Sequence, residues 1–216
     1  MELTKTKRFG LLLGSLLAMQ AHAALITGTT ASVVAGGLNN GSTVGVIVDG
    51  LIPGEGTHYF GGSGGAPKNA SWGAPAGPYD TVLQVDLGAV YRLDDVLVSV
   101  DNNDVYHLTY SVDGLSFSSL FSIAFNVGEI NSGMDTFTTW LGDPEYVAAL
   151  DFAAVDARYL RVSASAGDGR YSVGEIQAFG SPVPAGPGGS VPEPQSLALA
   201  LLALGTATVA RRRRQA

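Results

Sequence analysis

The sequence predicts an all-β protein built as an antiparallel sandwich, and three observations carry that reading. The first is strict alternation, clearest at Val155–Val162, where Arg158, Leu160 and Val162 point one way and Tyr159, Arg161 and Ser163 the other. Period two with β-branched and aromatic residues is the pattern of a half-buried strand. The second is punctuation: 29 glycines and 10 prolines break the chain into short β-prone runs, and only 14% of residues are charged. The third is that no run between residues 24 and 180 has convincing helical periodicity. Frequent turns between short strands favour a sandwich over a helical layer.

Taken in order, residues 24–37 mix Thr, Val and Ile with Gly and predict one edge strand. Residues 42–48 are a short β-prone run that ends at the turn pair Asp49-Gly50. Residues 51–80 form the longest irregular region, with Gly61–Gly65 and several aromatic residues. So long a loop is functional or mobile in a compact domain. Strands follow at Thr81–Gly88, Arg92–Val100 and Val105–Val112, the last with Tyr106, Leu108, Tyr110 and Val112 on one face. Asp101-Asn102-Asn103-Asp104 reads as turn chemistry. Phe117–Phe125 and Asp135–Trp140 are further strand candidates. The final pair is Val155–Val162 and Tyr171–Gly180, joined by the small polar loop Ala166–Arg170.

The two ends read as addresses. Lys5, Lys7 and Arg8, an apolar run from Phe9 to Met19, and Ala21-His22-Ala23 have the anatomy of a signal peptide over residues 1–23, a substrate for signal peptidase. Residues 181–190 are a Pro/Gly linker. Residues 191–216 hold Pro192-Glu193-Pro194, a hydrophobic helix at 197–210 and the cluster Arg211, Arg212, Arg213 and Arg214. As a helix, 197–210 spans roughly 21 Å, short of the roughly 30 Å of a bilayer core. The arginines stay on the cytoplasmic side by the positive-inside rule. This tripartite tail resembles the PEP-CTERM sorting signal of Gram-negative bacteria. The resemblance implies recognition and removal of the tail by an exosortase, with membrane contact only through the C-terminal helix before processing. The expected location is the cell surface or the extracellular space, after transient anchoring in the inner membrane.

Charge and cysteine content narrow the function classes. Between residues 24 and 190, five Lys and Arg face seventeen Asp and Glu. An acidic domain argues against nucleic acid and anionic lipid and suits divalent cations and neutral glycans. There is no cysteine, so no disulfide framework holds an exported domain together.

Four phrases carry a second resemblance: Val85–Gly88, Tyr106–Gly114, Ala157–Val162 and Tyr171–Gly180. In that order and spacing they resemble the discoidin, or factor 5/8 type C, domain, a galactose-binding-like jelly-roll sandwich; the resemblance runs over about residues 42–180, within an expected domain of residues 24–180. The resemblance implies one structural Ca²⁺ between an early Asp-Gly loop and a Glu on the last strand. The matching positions are Asp49 and Glu175, with Thr57 as a third ligand. Ca²⁺ takes hard oxygen ligands of the kind that such loops supply. The competing reading makes Asp49 a turn former and Glu175 a solvated strand residue.

For binding, Tyr59, Phe60, Trp72, Tyr79 and Trp140 sit on or beside loops, where aromatic faces can stack on sugar rings of a polysaccharide. Trp72 and Trp140 equally suit capping of the core. Catalysis finds little support. There is no Cys nucleophile, no Gly-x-Ser-x-Gly elbow and no zinc spacing, and adjacent Asp94 and Asp95 point apart. The expectation is a non-catalytic carbohydrate-binding sandwich associated with exopolysaccharide. The alternatives are a structural acidic matrix protein and, further off, a glycan-active enzyme.

Overall fold

A computed structural model describes residues 23–60, 69–74, 79–130 and 132–184. The signal peptide, the hydrophobic helix at 197–210 and the whole sorting tail lie outside the described residues, as does Gly61–Gly65. Among the described residues no helix is long and apolar enough to cross a membrane.

The described chain is all-β. Nine strands follow in order: β1 (Ala24–Leu25), β2 (Thr30–Ala35), β3 (Ala70–Gly73), β4 (Val82–Asp101), β5 (Val105–Ser111), β6 (Ser118–Ile123), β7 (Met134–Thr138), β8 (Val155–Ala166) and β9 (Arg170–Pro182). The pairs β1–β9, β2–β4, β3–β9, β4–β7, β4–β8, β5–β6 and β5–β8 are antiparallel. The hydrogen-bonded path runs β1-β9-β4-β8-β5-β6, with β2 and β7 on β4 and β3 on β9.

The spine is β4. Its first part pairs with β2 on one edge and β8 on the other, through Asp86↔Thr30 and Asp86↔Tyr159. Its last part pairs with β7, from Leu97↔Thr138 to Asp101↔Met134. The sequence pattern predicts two strands here, Thr81–Gly88 and Arg92–Val100. The structure has one, because Gly88 makes a bulge rather than a turn. Gly88 sits at φ +83°, its N–H donates to Asp86 Oδ1 at 2.8 Å, and the pairing with β8 slips between Asp86 and Tyr91. A bulge adds residues on one strand without ending the ladder. Burial changes phase with the slip: Leu160 and Val162 are buried on one side of it and Ala157 on the other.

Two other expectations change. Residues 42–48 are not a strand: Val44–Val48 is a 3-10 turn that drops Ile47 into the core at 0% exposure. Tertiary packing of that one side chain overrides the β propensity of the run. The irregular region 51–80 contains β3, which pairs with β9 through Trp72↔Tyr171. Trp72 is fully buried, tilted against Tyr171 with ring centroids 5.6 Å apart and edge-on to Tyr106 at 6.4 Å. The Tyr106 hydroxyl accepts the Ser172 N–H at 2.9 Å, and burial holds its phenol neutral above the usual range. Around this cluster Leu83, Leu93, Leu108, Ile123, Phe137, Leu150 and Val173 complete one continuous core.

Trp72→Ala should therefore cost about 3–5 kcal/mol of folding stability, the usual range for removing a buried Trp. Urea unfolding of the purified chain measures it. A loss below about 1 kcal/mol, the level typical of an exposed site, would contradict the packing described.

Candidate functional site

Four segments meet at one end of the sandwich: residues 55–60, the β4–β5 turn at 102–104, the segment before β7, and the β8–β9 turn at 167–169. The pairing Val105↔Ala166 sets the two turns side by side. Asp168 N–H then donates to Asp104 Oδ1 at 3.0 Å. The approach requires glycine at 167, which has φ +110° and where a Cβ would collide with Asp104 Oδ1. On the other side, Gly133 N–H donates to Asp101 Oδ1 at 2.9 Å and Asn102 N–H to Gly133 O at 2.9 Å. Residues 56 and 57 zip onto Met134 through Gly56 N–H to Met134 O and Met134 N–H to Thr57 O, both 2.8 Å.

These contacts enclose a pocket of about 180 Å³, lined among others by His58, Tyr59, Asp101, Asn103, Asp168 and Arg170. The lining offers carboxylate and amide acceptors, guanidinium, imidazole and amide donors, and one aromatic face. The Tyr59 ring is tilted against His58 at 4.4 Å and edge-on to Phe60 at 6.2 Å. Its carbonyl is fixed by Ser172 Oγ–H at 2.8 Å and Asn69 Nδ2 at 3.0 Å. Arg170 N–H donates to Asp168 Oδ1 at 2.8 Å, and its guanidinium lies 3.9 Å from the same carboxylate.

Burial dominates the electrostatics. It raises Asp101 to about 6, with Asp168 adding to it. It raises Asp104 to about 7, with Asp101 and Asp168 adding in turn. Asp104 Oδ2 is buried without a donor.

The predicted aromatic platform is divided. Tyr59 lines the pocket, Phe60 is 39% exposed beside it, and Tyr79 is 58% exposed where it stands over Gly169 in the β8–β9 turn. Trp72 is corrected to a core residue, because a ring at 0% exposure has no face to offer a sugar. Trp140 lies beyond the far end of β7, whose near end, Met134, borders the pocket region; it packs against Phe179 with centroids 6.4 Å apart. Five strand residues separate the two ends by roughly 16 Å, so Trp140 does not share this site. Asp101, Asn103, Asp168 and Arg170 read in the sequence only as turn formers. Nothing local marks them as a group, since the pairing of β5 with β8 brings them together.

The metal positions are partly united. Asp49 and Glu175 line one cavity of about 330 Å³, and Thr57 is not among its lining residues. Glu175 is 1% exposed, contrary to a solvated strand residue. Its Oε1 accepts Gly50 N–H at 3.2 Å and Gln177 Nε2 at 3.3 Å, and its Oε2 is buried without a donor. Burial first, and Asp49 among the further causes, raises Glu175 to about 7. A donorless buried oxygen beside a second carboxylate fits a divalent cation.

The C-terminal segment matches the PEP-CTERM protein-sorting motif over residues 190–214. No curated protein matches the chain. Among solved structures the chain is similar to a family 89 glycoside hydrolase from Clostridium perfringens, at 21% identity and TM-score 0.49, over 79% of this chain and 16% of that one. It is also similar to CpGH89CBM32-5 from Clostridium perfringens in complex with GalNAc-β-1,3-galactose, at 16% identity and TM-score 0.47, over 73% of this chain and 99% of that one. A third is the family 32 CBM of C. perfringens NanJ in complex with galactose, at 17% identity and TM-score 0.45, over 73% and 98%. The chain spans only 16% of the length of the glycoside hydrolase.

The raised carboxyls make a pH prediction. Asp101, Asp104 and Glu175 hold protons in the folded state above the unfolded value of about 3.9–4.3, so folding is favoured at low pH and loses that contribution as pH rises to about 7. Asp86 and Asp113 are lowered and act the opposite way, in the window near and below about pH 4. In EDTA, the thermal midpoint should fall from about pH 4.5 to about pH 7.5, and Asp104→Asn should flatten the slope. A midpoint that rises over this window in both proteins would contradict the burial of these groups.

Proposed function

We propose that the protein is an exported, surface-associated carbohydrate-binding protein without catalytic activity of its own. Signal peptidase removes residues 1–23, and an exosortase handles the tail that carries Pro192, Glu193, Pro194 and Arg211–Arg214. The observation that carries the binding assignment is the polar pocket. Paired donors and acceptors around one aromatic face suit the hydroxyls and the apolar face of a neutral sugar. The cavity of about 180 Å³ takes one sugar ring. A longer polysaccharide continues over Phe60 and Tyr79, both exposed at the rim. Arg170 and His58 donate to ring hydroxyls, and Asp168 and Asn103 accept or share them. Exopolysaccharide at the cell's own surface is the proposed ligand. One Ca²⁺ held by Asp49 and Glu175 ties the first loop to the last strand, a role that a cysteine-free domain cannot give to a disulfide.

The reading has two tests. On a polysaccharide panel the full chain should bind, Arg170→Ala and His58→Ala should each weaken binding about tenfold, the usual order for one lost polar contact, and Trp140→Ala should leave it unchanged. A folded chain that binds no glycan would replace this reading with that of a structural acidic matrix protein. For the tail, changing Arg211–Arg214 to Gln should make unprocessed precursor accumulate in the membrane fraction. Normal processing of that variant would remove the exosortase assignment.

A further inference from the structure

Behind the pocket wall, residues 124–130 arch over the start of β7 and close on Asn102 and Asp135. Asn102 is 2% exposed and Asp135 0%. Around the Asn102 side-chain nitrogen lie three oxygens: Val127 O at 2.7 Å, Ile130 O at 2.6 Å and Asp135 Oδ2 at 2.6 Å. An amide nitrogen carries two hydrogens, so three acceptors at this range exceed what it can donate to. The two best acceptors nearby go unused: Asn102 Oδ1 and Asp135 Oδ1 are both buried without a donor.

The arrangement is over-supplied with oxygen and short of hydrogen, which is how a cation site looks from its protein side. The point now held by the nitrogen is 2.6–2.7 Å from three oxygens, just outside the 2.3–2.6 Å of calcium–oxygen contacts. A cation takes that point when the Asn102 side chain withdraws and turns its amide oxygen inward, the acceptor end of the same group. Glycine at 128 lets the arch come this close: at φ +93° a Cβ would collide with Asp135 Oδ2. At the mouth stands Glu55, exposed to solvent, accepting Thr136 N–H at 3.2 Å.

We propose that Asn102, Val127 O, Ile130 O and Asp135, with Glu55 at the mouth, form a Ca²⁺ site separate from Asp49 and Glu175. Among the described residues no three Asp, Glu, His or Cys side chains group as a metal site. This one draws on carbonyls and an amide as much as on charge. Its irregular loop and mixed donors favour Ca²⁺ over the stricter octahedron of Mg²⁺. It belongs to the wall of the pocket, since Asn102 lies between Asp101 and Asn103, which line it. Its test does not depend on glycan binding.

The experiment uses the full chain carrying Glu175→Gln, which silences the Asp49–Glu175 position, and compares melting in EDTA, millimolar CaCl₂ and millimolar MgCl₂. Asn102→Asp in that background removes both amide hydrogens and sets a carboxylate against Asp135. It should lower Tm in EDTA, and calcium should then raise Tm by more than it does in the parent, with a smaller effect of magnesium. If Asn102 is only a hydrogen-bond donor that ties down the arch, calcium does not rescue the variant. An equal or absent calcium response, or failure to fold in calcium, overturns the site. By calorimetry in the same background, Glu55→Gln, an exposed change that spares the core, should weaken Ca²⁺ binding about tenfold, because ligand charge sets affinity in such sites. An unchanged affinity overturns it as well.

Discussion

The rest of the structure depends on the pairing of β4, which continues past the bulge at Gly88. Twenty residues from Val82 to Asp101 run as one strand, with β2 and β8 on the two edges of its first part and β7 on its last. Residues 96–101 are buried without alternation, as a strand covered on both faces must be. Because β4 ends at Asp101 opposite Met134, the β4–β5 turn and the segment before β7 start from the same place. Because β5 opens opposite the end of β8, the β8–β9 turn joins them. The pocket is thus a consequence of register. A one-residue slip in either pairing would turn every side chain to the other face and separate Asp101 from Asp168.

That geometry has an electrostatic cost, and the cost is informative. Carboxylates accumulate at the same end of the sandwich: Asp101, Asp104 and Asp168 around the pocket, Glu55 and Asp135 behind it. Several carry buried oxygens without donors, at Asp104, Asp135 and, elsewhere, Glu175. A buried carboxyl without a partner costs stability unless it is neutralised or bridged. Protons, sugar hydroxyls and cations all relieve that cost, and a ligand that relieves it binds the folded chain in preference to the unfolded one. In the sequence the acidic balance says only that the domain suits divalent cations and neutral glycans, and not where its carboxylates gather. In the fold it is concentrated where a ligand changes its energy.

Much of the fold is legible in the sequence because period two reports directly on burial. Leu160 and Val162 are buried as the alternation requires, and Tyr106 and Leu108 likewise. What is not legible follows from long-range pairing. Gly88 in a β-prone run reads as a strand end, and only the continuing ladder on both sides makes it a bulge. Trp72 lies among Gly and Pro in a region that reads as loop, and four residues of pairing with β9 put it in the core. Val44–Val48 has strand composition, yet it coils and buries Ile47 in the core. Asp49 and Glu175 could be anticipated from the family resemblance. The convergence of Asn102 with two backbone carbonyls could not, because carbonyls leave no trace in residue identity.

The direction of β9 links the pocket to the tail. The strand begins at Arg170, in the pocket wall, and ends at Pro182. Thirteen residues of extended chain cover roughly 40 Å, so the main chain leaves the sandwich at the end opposite the pocket. The segment that matches the sorting motif begins only a few residues later, at residue 190. Within the sandwich, a pocket-lining residue and the point where the main chain leaves thus stand at the two ends of one strand, Arg170 and Pro182 of β9.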